Sequence, residues 1–157
     1  LIYMNPDNAN KFTKALSKTY RYVLSLNQRP MVSVREDLDA LESYIFLMNM
    51  RFENSFTFSV EKMFANEKNM IIPLTLQLLI ENVFKHNVAT EEMPLDIKII
   101  IGDKHITVEN NIQPSKDTDK GGIGLKYLTK QYKLYNREII VEHTSQLFIV
   151  KIPYIQS

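Results

Sequence analysis

The sequence predicts an α+β fold: a mixed, mainly antiparallel sheet covered by helices on one face and preceded by a helical pair. Three observations carry this. The first fifty residues place apolar side chains at a helical period. Residues 56–61 switch to strict alternation. Two hairpin patterns, at 95–109 and 138–153, are then interrupted by long helical stretches.

The elements follow in order. Ala9 to Leu26 carries Phe12, Leu16, Tyr20, Val23 and Leu24 close to a 3.6-residue period, and Asn5-Pro6-Asp7 marks a helix start. Pro30 is a break. Ser33 followed three residues later by Glu36 is a capping-box signature, and Leu38, Leu41, Tyr44, Ile45 and Met48 continue a second helix to about Arg51, antiparallel to the first. Phe56, Phe58 and Val60 alternate with Thr57, Ser59 and Glu61, the mark of a half-buried strand. Pro73 opens a helix from Leu74 to about Val88. Leu95 to Ile101 is a strand, turned by Gly102-Asp103-Lys104 onto His105 to Glu109. The polar stretch 110–120 is a loop. Gly121-Gly122-Ile123-Gly124 leads into a helix from Leu125 to about Leu134, and Glu138 to His143 pairs with Gln146 to Pro153.

Composition bounds the function. At 157 residues the chain is the size of one domain, and it has no cysteine, which excludes disulfides, thiol nucleophiles and cysteine-held metals. A net charge of +1 gives no long-range attraction to nucleic acid or membrane. No apolar run reaches the length of a membrane span and no signal peptide opens the chain, so a soluble, intracellular domain is expected. Glycine is the oddity. Average usage predicts about eleven, whereas there are 4, three of them at 121, 122 and 124. Such clustering points to a tight turn or a close backbone approach.

Two constellations carry chemistry. On a helical wheel, Leu76, Leu79, Ile80, Val83 and Phe84 share one face, while Glu81, Asn82, Lys85 and His86 share the other. A solvated helix face explains most of this. Asn82, however, is a weak helix former in mid-helix. An amide oxygen suits Mg²⁺, a lysine suits phosphate and a carboxylate can serve as a base, which together make up metal-nucleotide handling. The second constellation, Gly122-Ile123-Gly124-Leu125, opens a helix whose N–H groups can face a phosphate. It is neither a Walker loop nor a dinucleotide fingerprint.

The run Leu76-Gln77-Leu78-Leu79-Ile80-Glu81-Asn82-Val83-Phe84-Lys85-His86-Asn87, followed by a hairpin, a polar loop and Gly-x-Gly-Leu, resembles the ATP-binding domain of sensor histidine kinases, of the GHKL superfamily. Glu81-Asn82 with Lys85-His86 is similar to its N box, Gly122-Ile123-Gly124-Leu125 to its second glycine box, and 112–120 to a short ATP lid. Leu16-Ser17, Arg21-Tyr22, Leu24, Val34, Glu36, Tyr44, Arg51-Phe52 and Pro73 narrow the resemblance to the autolysis-sensor (LytS-like) class.

The resemblance implies a two-layer α/β sandwich of the Bergerat type at 53–157, with 1–52 as the C-terminal part of the dimerisation and phosphoacceptor helices. It implies ATP and Mg²⁺ as cofactors. Asn82 would coordinate Mg²⁺, Glu81 would act on the reacting phosphoryl group or its water, and Lys85 would contact phosphate. His86, Asn110, Gly122, Ile123, Gly124 and Leu125 would complete the nucleotide site. The phosphoryl group would pass to a histidine upstream of Leu1 and then to a response regulator, typically of the LytTR type. The whole kinase would be a homodimer in the inner membrane, with this part cytoplasmic and without nucleic-acid contact.

The family's first glycine box is altered. Its Asp becomes Asn110 and its glycines become Ile112 and Pro114. Asn110 can still accept from an adenine amino group, without charge assistance. The rival reading is a degenerate ATPase fold acting as a dimerising or regulator-docking scaffold. His105 and His143 read as strand-end histidines, Tyr127, Tyr132 and Tyr135 as packing, and Lys126, Lys130 and Lys133 as a solvated face.

Overall fold

Helix α1 (Pro6–Ser25) packs against helix α2 (Val34–Arg51). The computed structural model describes residues 6–25, 29–63, 68–115 and 123–155; the side chains of Tyr20, 22–25 and Ile123 also lie outside the description. The anticipated capping box is present: the Ser33 side chain accepts from Glu36 N–H at 3.1 Å and caps α2. Just before α2, the two-residue strand β1 (Val32–Ser33) pairs antiparallel with β3 (Met70–Ile71). Neither strand is legible in the sequence, because two residues carry no periodicity.

A five-stranded sheet is built from β2 (Phe56–Lys62), β4 (Leu95–Ile101), β5 (His105–Asn111), β6 (Ile140–His143) and β7 (Leu147–Pro153), in the order β2-β4-β5-β7-β6. Three of its pairings are antiparallel. β2 and β4 run parallel, which requires the long crossover through helix α3 (Thr75–His86). Helix α4 (Ile123–Lys133) packs beside α3. The mixed, mainly antiparallel sheet predicted above is therefore the one observed, and its helices form the second layer of an α/β sandwich.

The core lies between these layers. Leu95, Ile97, Ile99 and Ile101 alternate inward from β4, joined by Ile106 and Val108 from β5 and by Val150 and Ile152 from β7. From the helices come Leu76, Leu79, Ile80 and Val83 of α3 and Leu128 and Tyr132 of α4. Helix α2 adds Val34, Leu41, Tyr44 and Ile45 to the same cluster, so it is built into the body that holds the sheet. Burying one such Leu or Ile contributes about 1.5–3 kcal/mol, which gives α2 an anchor independent of α1.

Candidate functional site

Helix α3 divides as its sequence predicts. Leu76, Leu79, Ile80 and Val83 are buried and Phe84 is partly so, stacked on Phe52 with ring centroids 4.8 Å apart. Glu81 and Lys85 are exposed, with Asn82 and His86 half-buried between the two faces. Gln77 Nε2 donates to Glu81 Oε1 at 3.1 Å, one turn back along the helix, and so orients that carboxylate. Tyr44 of α2 lies within electrostatic reach. Burial raises its hydroxyl above the ordinary tyrosine pKa, and the Glu81 charge adds to the shift.

Three cavities meet at Asn82. The first, of about 460 Å³, is lined by Glu81, Asn82 and Lys85 on α3, by Pro73 and Leu74 before it, and by Gly124 and Tyr127 of α4. A smaller one of about 170 Å³ is walled by Asn82, Val83, His86, Asn110, Ile112 and Phe148. The third, of about 610 Å³, runs between Asn82 and His86 on one side and Leu125, Lys126, Lys130 and Lys133 on the other, over Val141 and Phe148. One amide thus borders an acidic and basic pocket, a small apolar pocket and a lysine-flanked groove.

Asn110 occupies the core-facing row of β5, in line with Ile106 and Val108, and is 2% exposed. Its Nδ2 donates to the Asn111 carbonyl at 2.7 Å. A buried amide on a strand row otherwise filled with aliphatic side chains is costly without partners, so its presence at the wall of a cavity is informative. The chain leaving β5 is then clamped to the end of α3. Gln113 N–H donates to Asn87 Oδ1 at 2.7 Å, Val88 N–H to the Gln113 carbonyl at 2.7 Å, and Ser115 N–H to the His86 carbonyl at 3.0 Å. Gln113 Nε2 reaches the carbonyls of Val88 and Met93. Among the described residues the non-glycine positions with positive φ are Asn54, Leu74 and Asn136. Ile112 and Pro114 therefore stand where no glycine conformation is needed.

Gly124 opens α4 close to α3. A Cβ placed on it would lie 3.6 Å from the Leu78 carbonyl oxygen, an ordinary contact. Gly122 and most of the expected lid, 116–120, lie outside the described residues. Tyr132 is fully buried and Tyr135 partly so, as expected, but Tyr127 departs from the packing role read for it. It is 46% exposed and faces the first cavity, because it lies about 140° around α4 from the buried Tyr132. Lys126, Lys130 and Lys133 are solvated yet border the third cavity, and His143 at the end of β6 borders the second. Sequence reading assigned no part to Asn87, Gln113 or Phe148. Asn87 ends the quoted run, but its partner 26 residues away leaves no local signal.

The sequence and the fold have counterparts among known proteins. A protein-family model described as Histidine kinase matches residues 1–56. The sensor protein kinase HptS of Staphylococcus aureus is 29% identical over 134 residues, covering 84% of this chain and 24% of its own length. The chain thus spans about a quarter of the curated relatives it matches. Among solved structures, the cytoplasmic segment of histidine kinase QseC superposes with a TM-score of 0.59 at 13% identity, covering 100% of this chain and 99% of that one. The catalytic domain of histidine kinase ThkA does so with a TM-score of 0.54 at 19% identity, covering 79% of this chain and 97% of that one. Sequence relatives and fold neighbours converge: the chain is similar in sequence to sensor histidine kinases and has the fold of histidine kinase catalytic domains.

Proposed function

We propose that this chain positions Mg·ATP for phosphoryl transfer to a histidine outside it, as the catalytic part of a two-component kinase. The observation that carries the reading is the position of Asn82, at the junction of three differently lined cavities. The adenine ring enters the small apolar cavity. There Asn110 Oδ1 accepts from its amino group, the Nδ2 being engaged with Asn111. The triphosphate then extends past Asn82, His86, Gly122, Ile123, Gly124 and Leu125, with Lys85 as its fixed positive charge.

Among the described residues no group of three His, Cys, Asp or Glu side chains gathers to hold a metal. A hard cation here would arrive with the nucleotide, held by Asn82 Oδ1, phosphate oxygens and water. Bound there, such an ion would supply charge neutralisation at the transferring group. Glu81, oriented by Gln77, supplies the carboxylate that orders the attacking side.

Because α2 belongs to the sandwich core, we place the start of the nucleotide-binding unit at β1 and assign α1 alone to the dimerisation region. The phosphoryl group passes onward to a response regulator, of LytTR type by resemblance, and two chains pair through the helices that precede this unit. No helix among the described residues is long and apolar enough to cross a membrane.

Displacement of a fluorescent nucleotide analogue tests the reading. ATP should compete and GTP, which lacks the adenine amino group, should not; Asn110→Ala should narrow that difference. Failure of any nucleotide to bind at millimolar concentration would favour a degenerate scaffold.

A further inference from the structure

Building on that function, we propose that Asp37 is a positioning residue for the nucleotide site: from α2 it caps the first turn of α3 and fixes the wall formed by Pro73 and Leu74. The first turn of any helix leaves N–H groups without partners, and they are usually met by the side chain at the N-cap. In α3 that position holds Leu74, which has no capping atom. The cap comes instead from another helix. Asp37 Oδ1 accepts from Leu74 N–H at 2.9 Å and Oδ2 from Leu76 N–H at 3.1 Å, with Asp37 itself 2% exposed.

The backbone at Leu74 shows what this capping holds in place. Its φ of 68° is left-handed, a conformation that a leucine adopts only when its surroundings impose it. A second helix grips the same turn. Ile72 N–H donates to the Tyr132 hydroxyl at 3.2 Å, and Thr75 Oγ1 donates to the Ile72 carbonyl at 2.6 Å. The single Thr75 hydroxyl proton is thereby used, so in the 2.9 Å contact between Tyr132 and Thr75 the tyrosine is the donor. The ring Ile72–Tyr132–Thr75–Ile72 is closed, and it ties α4 to the residues that Asp37 holds from α2. Pro73 and Leu74 are then presented to the cavity that Glu81, Asn82 and Lys85 also line. Any shift of α2 reaches that cavity through two hydrogen bonds.

The test uses the full 157-residue chain with Asp37→Ala, Leu74→Gly, Leu74→Ala and the two Asp37→Ala double variants. Mg·ADP affinity is measured at a temperature where each variant is folded. Asp37→Ala should weaken binding about tenfold, the scale of two lost charge-assisted hydrogen bonds. Glycine at 74 adopts the left-handed turn freely, so Asp37→Ala should cost less than about threefold in the Leu74→Gly background but its full effect in the Leu74→Ala background. A merely structural role would predict no such selective rescue.

Amide hydrogen exchange in the nucleotide-free parent should show Leu74 and Leu76 protected, and that protection should vanish in Asp37→Ala. Unchanged affinity in folded Asp37→Ala, or free exchange at both amides in the parent, would overturn the proposal. If Asp37→Ala does not fold, Asp37→Asn carries both measurements. It keeps one acceptor oxygen and should lose protection at one of the two amides; unchanged protection at both would overturn the capping role. If the parent binds no nucleotide, the kinase reading falls while the exchange measurement still decides whether Asp37 holds the turn.

Discussion

Gln113, just beyond β5, and Asn87, at the end of α3, are joined by a 2.7 Å bond from the Gln113 backbone N–H to Asn87 Oδ1. Asn87 Nδ2 in turn donates to the Val83 carbonyl at 2.9 Å, so one side chain closes the end of α3 and anchors the chain leaving β5. Asn87→Ala orphans both groups and should destabilise the fold by about 1–3 kcal/mol. Urea denaturation should report this as a lower midpoint at unchanged slope. Asn87→Asp keeps the acceptor and should recover part of the loss.

Tyr132→Phe removes the one hydroxyl that meets both Ile72 N–H and Thr75 Oγ1 in the interior. The ring remains, so packing is conserved and the cost is that of unsatisfied buried groups, about 1–3 kcal/mol. For a domain of this size that corresponds to a fall in Tm of roughly 2–4 °C for each kcal/mol, measurable by scanning calorimetry.

Gly124→Ala separates fold from function. The added methyl meets Leu78 at ordinary contact distance and replaces a poor helix former, so stability should hold or rise by up to about 1 kcal/mol. If the backbone at 124 approaches phosphate, nucleotide affinity should fall while Tm does not. Thermal melts with and without Mg·ADP distinguish the two effects.

Much of this was legible because the informative residues obey local rules. Ser33 and Glu36 announce a cap, the Leu95–Ile101 strand alternates, and Asn82 is out of place on its helix. What was illegible depends on contacts distant in sequence. Asp37 reads as an ordinary first-turn acid of α2, favourable to that helix's own dipole. Its partners are 37 and 39 residues away. Ile112 and Pro114 looked like losses because a glycine box suggests a glycine backbone, whereas the clamp from Gln113 to Asn87 and Val88 holds that segment without positive φ. Tyr127 was grouped with Tyr132 as packing, yet five residues place it about 140° around the helix from Tyr132, and it is Leu128, one turn before Tyr132, that joins the core.

Burial raises the hydroxyl pKa values of Tyr44, Tyr132 and Tyr154. In the unfolded chain these groups ionise near pH 10. Above that the unfolded state has released protons that the folded state still holds, so these three groups leave stability unchanged below about pH 10 and lower it as pH rises further. The share of tyrosinate absorbance that belongs to these three should therefore rise together with unfolding, not before it; Phe at each of the three positions identifies that share.

In the proposed function Asn82 joins cation and nucleotide in one site. Calorimetric titration of the chain with ADP, in the presence of Mg²⁺ and again with a chelator, beside Asn82→Ala, addresses it directly. With Asn82 holding the ion, Mg²⁺ should tighten binding to the parent by at least about tenfold, the scale of one lost charge-assisted contact, and leave the folded variant's weak binding unchanged. Equal dependence on Mg²⁺ in parent and variant would contradict it.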